Sequence, residues 1–215
     1  MVILEKLKNL NFYPKVVLDV GANKGEWSKW CHAVFPESEF YLIEPQIEML
    51  QPLEKFCSDK KASYALCAAG EGHYKGTLRI WEDMEGSSFL MPEDPEGKEE
   101  RLIDVVKIDT LIENKIIKQP DLVKIDIQGF ELRALDGFTK AKHSQIIILE
   151  VSFFEFLETQ PVFHEVVAYM NSIGFVVYDI FNFLKRPYDD ALGQCDVCFV
   201  KRNSFLKSVN RWNKN

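Results

Sequence analysis

Residues 16–27 read VVLDVGANKGEW, and residues 40–45 read FYLIEP. The apolar run Val16-Val17-Leu18 predicts a buried strand that ends in Asp19-Val20-Gly21-Ala22-Asn23-Lys24-Gly25. Trp27, Trp30 and Cys31 then fall at helical spacing. Gly21 and Gly25 let the backbone turn tightly and approach a ligand that a Cβ would block. The second strand ends in an acid, Glu44, at about the separation where a strand–helix–strand unit holds a ribose diol. Together these features predict a crevice for a nucleoside cofactor.

A dinucleotide fingerprint of the form G-x-G-x-x-G needs glycines at 19, 21 and 24, and this chain has Asp19 and Lys24 instead. An acidic side chain at that turn repels a pyrophosphate but attracts an ammonium or a sulfonium. S-adenosylmethionine carries both cations and no phosphate. The charge pattern therefore favours a methyl donor, with S-adenosylhomocysteine as its product.

At 215 residues the chain is long enough for one domain with a three-layer core. That domain is predicted to span 1–215, with a short amphipathic helix over 1–14, a surface loop over 82–100 and a peripheral basic tail over 203–215. A net charge of −7 and the lack of an evident basic patch argue against nucleic acid as a partner. The five cysteines are odd in number and sit mostly in apolar runs, as small buried hydrophobes of a reducing compartment do. The first residues lack the basic start and long apolar core of a signal peptide, and no apolar stretch approaches a membrane span. The expectation is a soluble, cytoplasmic protein.

Strand and helix patterns alternate along the chain, which predicts an α/β fold with a mostly parallel sheet and helices on both faces. Strands are expected at about 16–20, 39–43, 62–67, 103–108, 121–126, 145–151, 175–178 and 196–201. Helices are expected up to Phe35 and at about 46–57, 129–137 and 161–172. Residues 77–81 alternate in face and suggest an extra edge strand, and EDMEGSSFLMPEDPEGKEE at 82–100 reads as too polar to pack. In open sheets of this kind ligands sit outside the carboxyl ends of the strands. That rule gathers Asp19, Glu44, the Cys67–Gly70 turn, Asp126 and Glu150 around one crevice.

With those residues placed, the chain resembles the FkbM family of S-adenosylmethionine-dependent methyltransferases. The resemblance is carried by DVGANKGEW at 19–27, IEP at 43–45 and GSS at 86–88. It continues through DLVKIDIQGFELRALDG at 121–137, ILEVSF at 148–153 and FLKRPYDDALGQCDVCFVKR at 183–202. The K-I-D-x-(E/Q)-G-x-E block is its most specific part. Position 128 is Gln where many members carry Glu, so a role that needs a negative charge there does not carry over. The resemblance implies a Rossmann-like class I methyltransferase fold with seven strands, the last antiparallel. It also implies O-methylation, frequently of sugars or natural products.

Methyl transfer to a hydroxyl is chiefly a positioning task, helped by a base or a metal that removes the hydroxyl proton. Asp126, at the end of the central strand, is the best-placed base, followed by Glu150 and Glu131. Plainer roles stand beside these: helix N-cap for Asp126, helix N-terminal acid for Glu131, and holder of backbone amides for Glu150. The same carboxylates are able to bind a divalent ion through oxygen.

On the cofactor side, Asp19 would anchor the methionine ammonium, directly or through water, or serve only to form the turn, and Glu44 would accept from the ribose hydroxyls. Gly21, Ala22, Asn23 and Gly25 would form the turn, with Asn23 either reaching the cofactor carboxylate or accommodating a left-handed turn. Pro45, Gln46, Ala68 and Ala69 would flank the adenine, and Asp126 would border the cofactor. Ser87, Ser88, Gln128, Arg186 and Tyr188 are the acceptor-side candidates. Cys195-Asp-Val-Cys198 sits in a strand with no second pair for zinc, and alternation sends its thiols to opposite faces. The four histidines show no ligand spacing; His73 is the best placed of them for a base.

The leading expectation is an O-methyltransferase acting on a small-molecule or glycan acceptor, most of all a sugar. The alternatives are a natural-product O-methyltransferase, an RNA 2′-O-methyltransferase that pairs Lys124 with Asp126, and a non-catalytic cofactor-binding module.

Overall fold

The computed structural model describes residues 2–82, 84–91 and 99–213. After helix α1 (Val2–Asn9), the predicted alternation appears as β1 (Val16–Val20), α2 (Glu26–Val34), β2 (Glu39–Ile43), α3 (Leu50–Cys57) and β3 (Ala62–Ala65). Then come β4 (Ala68–Ala69), β5 (Tyr74–Ile80), β6 (Glu99–Val106) and α4 (Ile108–Glu113). The second half holds β7 (Leu122–Ile125), α5 (Glu131–Asp136), β8 (Ile146–Ser152), α6 (Phe163–Ser172), β9 (Phe175–Lys185) and β10 (Leu192–Lys201).

Seven strands form the main sheet in the order β3-β2-β1-β7-β8-β10-β9. All run parallel except β10, which is antiparallel to both of its neighbours. This is the expected architecture. Every residue of β1 and β7 is buried, as suits central strands covered on both faces. Alternation divides their side chains: Leu18, Val20, Val123 and Ile125 enter one apolar core, and Val17 and Leu122 the other. Cys195 and Cys198 fall in different cores, so their thiols lie on opposite faces of the sheet, as alternation predicts.

Strand order reverses between β1 and β7, because β2 and β3 are laid down on one side of β1 and β8 on the other. A crevice opens at the carboxyl ends of strands at such a switch point.

The middle of the chain departs from expectation. No main-sheet strand forms at 103–108; β4, β5 and β6 make a separate three-stranded sheet in the order β4-β6-β5. β6 alternates between exposed and half-buried residues and buries only Val105, with Leu102 and Glu100 open to solvent. Its pattern is that of a hairpin with one wet face, whereas a central parallel strand is covered on both.

The stretch expected to be too polar to pack does pack over residues 84–91. Ser88 is buried and exchanges backbone hydrogen bonds with Arg79, and Leu90 joins Phe130 and Leu157 in a small apolar cluster. The remainder of the 82–100 expectation, at 83 and 92–98, lies outside the described residues.

Candidate active site

A cavity of about 310 Å³ occupies the switch-point crevice, within the size range of small-molecule sites. Its cofactor-side wall is built on β2. Glu44 follows the last residue of that strand, so its carboxylate leaves the sheet and enters the crevice. One carboxylate oxygen accepts from the Asn23 backbone N–H at 2.8 Å, and the other from the Gln46 N–H at 2.9 Å. Burial raises its affinity for a proton, and those amides oppose the shift. The oxygen facing Gln46 also accepts from the Gln46 side-chain amide at 3.3 Å, and the oxygen that accepts from Asn23 keeps lone-pair capacity for a further donor. Gly21, Ala22, Asn23, Pro45, Gln46, Ala68 and Ala69 line the same cavity. Ser87 lies at this end, 3.3 Å from the Gln46 side-chain carbonyl.

The two turn glycines act differently from expectation. A Cβ on Gly21, which has φ +80°, would stand 1.9 Å from the Asp126 carbonyl oxygen. The close approach that the structure shows at Gly21 is to the end of β7. Gly25 has room around it and is required only by its φ of +74°. Asn23 is also left-handed, at φ +47°, and its side-chain oxygen accepts from the Lys24 N–H.

Asp19 does not reach the cavity. It is the penultimate residue of β1, almost fully buried, and accepts a 2.6 Å hydrogen bond from the Ser28 hydroxyl of α2. Burial pushes its carboxyl up to about 7. Asp19 therefore lies behind the wall of the cavity, which does not fit direct contact with a bound ammonium.

The other end of the cavity is held by Asp126 and Glu150. One oxygen of Asp126 accepts from the Lys124 ammonium at 3.1 Å and the other from the Gln128 side-chain amide at 3.2 Å. The same Gln128 amide is 3.0 Å from Glu150, which also accepts from Gln194 at 3.2 Å. Burial first, and the Asp126 charge second, push the Glu150 carboxyl up to about 9. Neither acid takes its plainer role: Asp126 caps no helix, and Glu150 binds side-chain amides.

Glu131 lies outside the cavity. Its carboxylate accepts from the Ile127 and Gly129 backbone N–H groups, both at 3.1 Å, and so fixes the turn in which Gln128 and Gly129 are left-handed. Ser88 also lies outside the cavity, donating to the Gln128 carbonyl at 2.7 Å. Arg186 and Tyr188 are off the wall as well, on the β9–β10 hairpin. There the Arg186 guanidinium stacks on Phe154 at 3.7 Å and pairs with Asp189. None of the four histidines lines the cavity; His73 bonds Thr110.

Sequence reasoning placed Lys124 beside Asp126 but missed the β9–β10 layer behind the acids, Asn182, Gln194 and Asp196. Lys124 is buried between Asp126 and Asp196, 2.9 Å from the latter, and Asp196 also accepts from the Asn182 amide. Gln194 and Asp196, two apart in β10, were legible as polar residues repeating on one face of an otherwise apolar strand. Among the described residues no group of three metal-ligating side chains converges.

Fold and cavity together define a class I Rossmann-like methyltransferase. The family profile described as the methyltransferase FkbM domain matches residues 19–177, and the chain belongs to that family. No curated protein matches it.

Among solved structures, it is similar to the Synechocystis magnesium protoporphyrin IX methyltransferase with bound S-adenosylmethionine: 10% identity, TM-score 0.54, covering 93% of this chain and 76% of that one. It is also similar to the Geobacter metallireducens precorrin-6y C5,15-methyltransferase, at 15% identity, TM-score 0.50, and 93% and 86% coverage. A third is the Methanococcus jannaschii fibrillarin pre-rRNA processing protein, at 13% identity, TM-score 0.55, and 87% and 66% coverage. These likenesses are of fold. No helix among the described residues is long and apolar enough to cross a membrane.

Proposed function

We propose that the chain is an S-adenosylmethionine-dependent O-methyltransferase whose acceptor is a neutral hydroxyl of a sugar or glycan. The observation that carries this reading is one cavity with Glu44 at one end and the Asp126–Glu150 pair at the other. The lining suits the cofactor. Even with Glu150 pushed toward its neutral form, four acids (Glu26, Glu44, Glu85 and Asp126) face one lysine, Lys24, which favours a cationic donor over a pyrophosphate. Ala68 and Ala69 leave a shallow wall for a planar base, and Glu44 retains acceptor capacity for a diol.

When bound, S-adenosylmethionine supplies an electrophilic methyl group on a sulfonium. The residues of this chain then have two tasks. Glu150, pushed toward its neutral form by burial and the nearby Asp126, would hold and orient the acceptor oxygen. Asp126, backed by the Lys124 ammonium, takes the hydroxyl proton. An anionic acceptor would meet the carboxylates of this floor and be repelled, which favours a neutral polyol.

The test is calorimetric titration with S-adenosylhomocysteine, with and without magnesium, followed by a methyl-transfer screen over glycosides. Glu44→Ala should weaken binding about tenfold or more, and Asp126→Asn should spare binding and abolish turnover. The reverse pattern overturns the roles, and absence of binding overturns the cofactor. A magnesium requirement reassigns Asp126 and Glu150 as metal ligands.

A further inference from the structure

Charge is distributed very unevenly along this chain. The last fifteen residues of the sequence hold five cations and no acid, leaving the other 200 with 21 cations against 33 acids. The fold then places that segment among other cations.

β10 runs antiparallel, so its last residues lie where the parallel strands begin, with Val200 opposite Ile146 and Lys201 opposite Phe175. This is the end of the sheet opposite the cavity. The loops entering β1, β3, β7 and β8 expose Lys15, Lys61, Lys118 and Lys142 there, of which Lys118 pairs with Glu39. The exposed acids on the loops entering β2 and β3 are Glu37 and Asp59. The basic face that the net charge seemed to exclude is thus assembled by the topology.

Apolar side chains are exposed at the same end. Phe205, Val209 and Trp212 are 51%, 67% and 99% exposed. Phe205–Lys207 form a single 3-10 turn and the chain beyond it is irregular; the spacing i, i+4 and i+7 would bring the three to one face if the segment became helical on a surface. Lys207 and Arg211 fall between them and are exposed too. Tyr13 and Ile116 stand open on the loops entering β1 and β7. Leu206 packs against the core and tethers the segment to the body.

A nucleic-acid backbone would be met by cations alone or by aromatics able to stack. Aliphatic Val209 and Ile116, together with an exposed Trp among lysines and arginines, fit the headgroup–acyl boundary better.

We propose that this end of the molecule docks on an anionic lipid surface. Residues 202–213 lie in the interface as a basic amphipathic segment, and the cavity faces away from the bilayer. This proposal does not rest on the cofactor assignment.

The experiment is co-sedimentation of the full chain with phosphatidylserine–phosphatidylcholine vesicles and with pure phosphatidylcholine vesicles. Two variants are compared with the parent, Phe205→Ala/Val209→Ala/Trp212→Ala and Lys207→Glu/Arg211→Glu. Thermal midpoints show that both still fold. The expected result is binding to the anionic vesicles only, weakened about tenfold or more by either variant and reduced by salt. Three results would overturn the proposal: no sedimentation with anionic vesicles, undiminished sedimentation of both variants, or retention on single-stranded RNA in its place.

Discussion

Removing the Lys124 ammonium as Lys124→Met should be among the most damaging single changes in this protein outside its apolar core. Lys124 is only 3% exposed, and its nitrogen lies 2.9 Å from Asp196 and 3.1 Å from Asp126. Burial alone would lower its pKa, but the charges of Asp126 and Asp196 outweigh that and raise it. Breaking a buried pair by deleting one partner costs about 3–5 kcal/mol, because the other charge is left uncompensated. Two features place this case at the low end: the Asp126 side chain is 33% exposed and can hydrate, and Asp196 keeps its 2.6 Å bond from Asn182. The expected loss is therefore about 3 kcal/mol.

Because the folded-state pKa is raised, the lysine's contribution is fully present below its ordinary 10.5 and fades only at higher pH. Urea unfolding at neutral pH thus reads all of it. A loss of that size moves the midpoint by about 1 M for a slope near 3 kcal/mol/M. The double variant Lys124→Met/Asp196→Asn should recover at least half of the loss, since it also removes the stranded charge. A single variant within 1 kcal/mol of the parent, or strict additivity in the double, would refute the idea that this ammonium neutralises Asp196.

Three further outcomes are expected. Asp19 has a raised folded-state pKa of about 7, so the folded state binds the extra proton and stability falls as pH rises from about 4 to 7 on its account. Asp19→Asn should flatten that slope and stabilise the protein at pH 8 by up to about 4 kcal/mol, as read from thermal midpoints at pH 5.5 and 8. Gly25→Ala should cost about 1 kcal/mol for its left-handed backbone alone, whereas Gly21→Ala, which also drives a Cβ into the Asp126 carbonyl, should cost about 3 kcal/mol or more in urea. Gln128→Glu replaces the amide that bridges Asp126 and Glu150 with a third acid, and should lower the thermal midpoint more at pH 8 than at pH 5.

The strands that hold the cavity were legible because β1, β2 and β7 are apolar runs followed by acids and glycines and β8 is an apolar run, although β8 continues to Ser152, so that Glu150 lies within the strand and not at its end. Which acids enter the cavity was only partly legible. Glu44 and Asp126 each stand one residue past the end of their strands, beyond Ile43 and Ile125, so both leave the sheet. Asp19 stands one residue inside β1 and is held to a face of the sheet, where Ser28 meets it. Standing inside a strand does not by itself decide the outcome, since Glu150 lies within β8 and still lines the cavity; Asp19 is covered by Ser28 of α2, which composition does not reveal. Glu131 and Ser88 were misplaced for another reason: both satisfy the backbone of the left-handed turn at 128–129, a geometry that appears only once β7 is docked. The separate β4-β6-β5 sheet was hidden because alternation shows a strand but not its partner.

Asp19 and Lys124 are register partners in adjacent parallel strands, so their side chains share a face of the sheet. Glu150 and Asp196, opposed in β8 and β10, lie on that face as well, two residues on from Ile148 and two before Cys198 of the same core. Four strands thus bring Asp19, Asp126, Glu150 and Asp196 to one side of the sheet, around the one buried cation among the described residues. One ammonium cannot neutralise four carboxylates. It serves Asp126 and Asp196 directly, while Asp19 and Glu150 are pushed toward their neutral forms. Neutral donors complete the arrangement: Ser28 for Asp19, Gln128 and Gln194 for Glu150, and Asn182 for Asp196. An amide supplies a hydrogen bond without adding charge, so Gln128 can bridge two acids where Glu could not. The result is a floor with one carboxylate backed by a cation beside one pushed toward its neutral form, the arrangement on which the proposed handling of an acceptor hydroxyl rests.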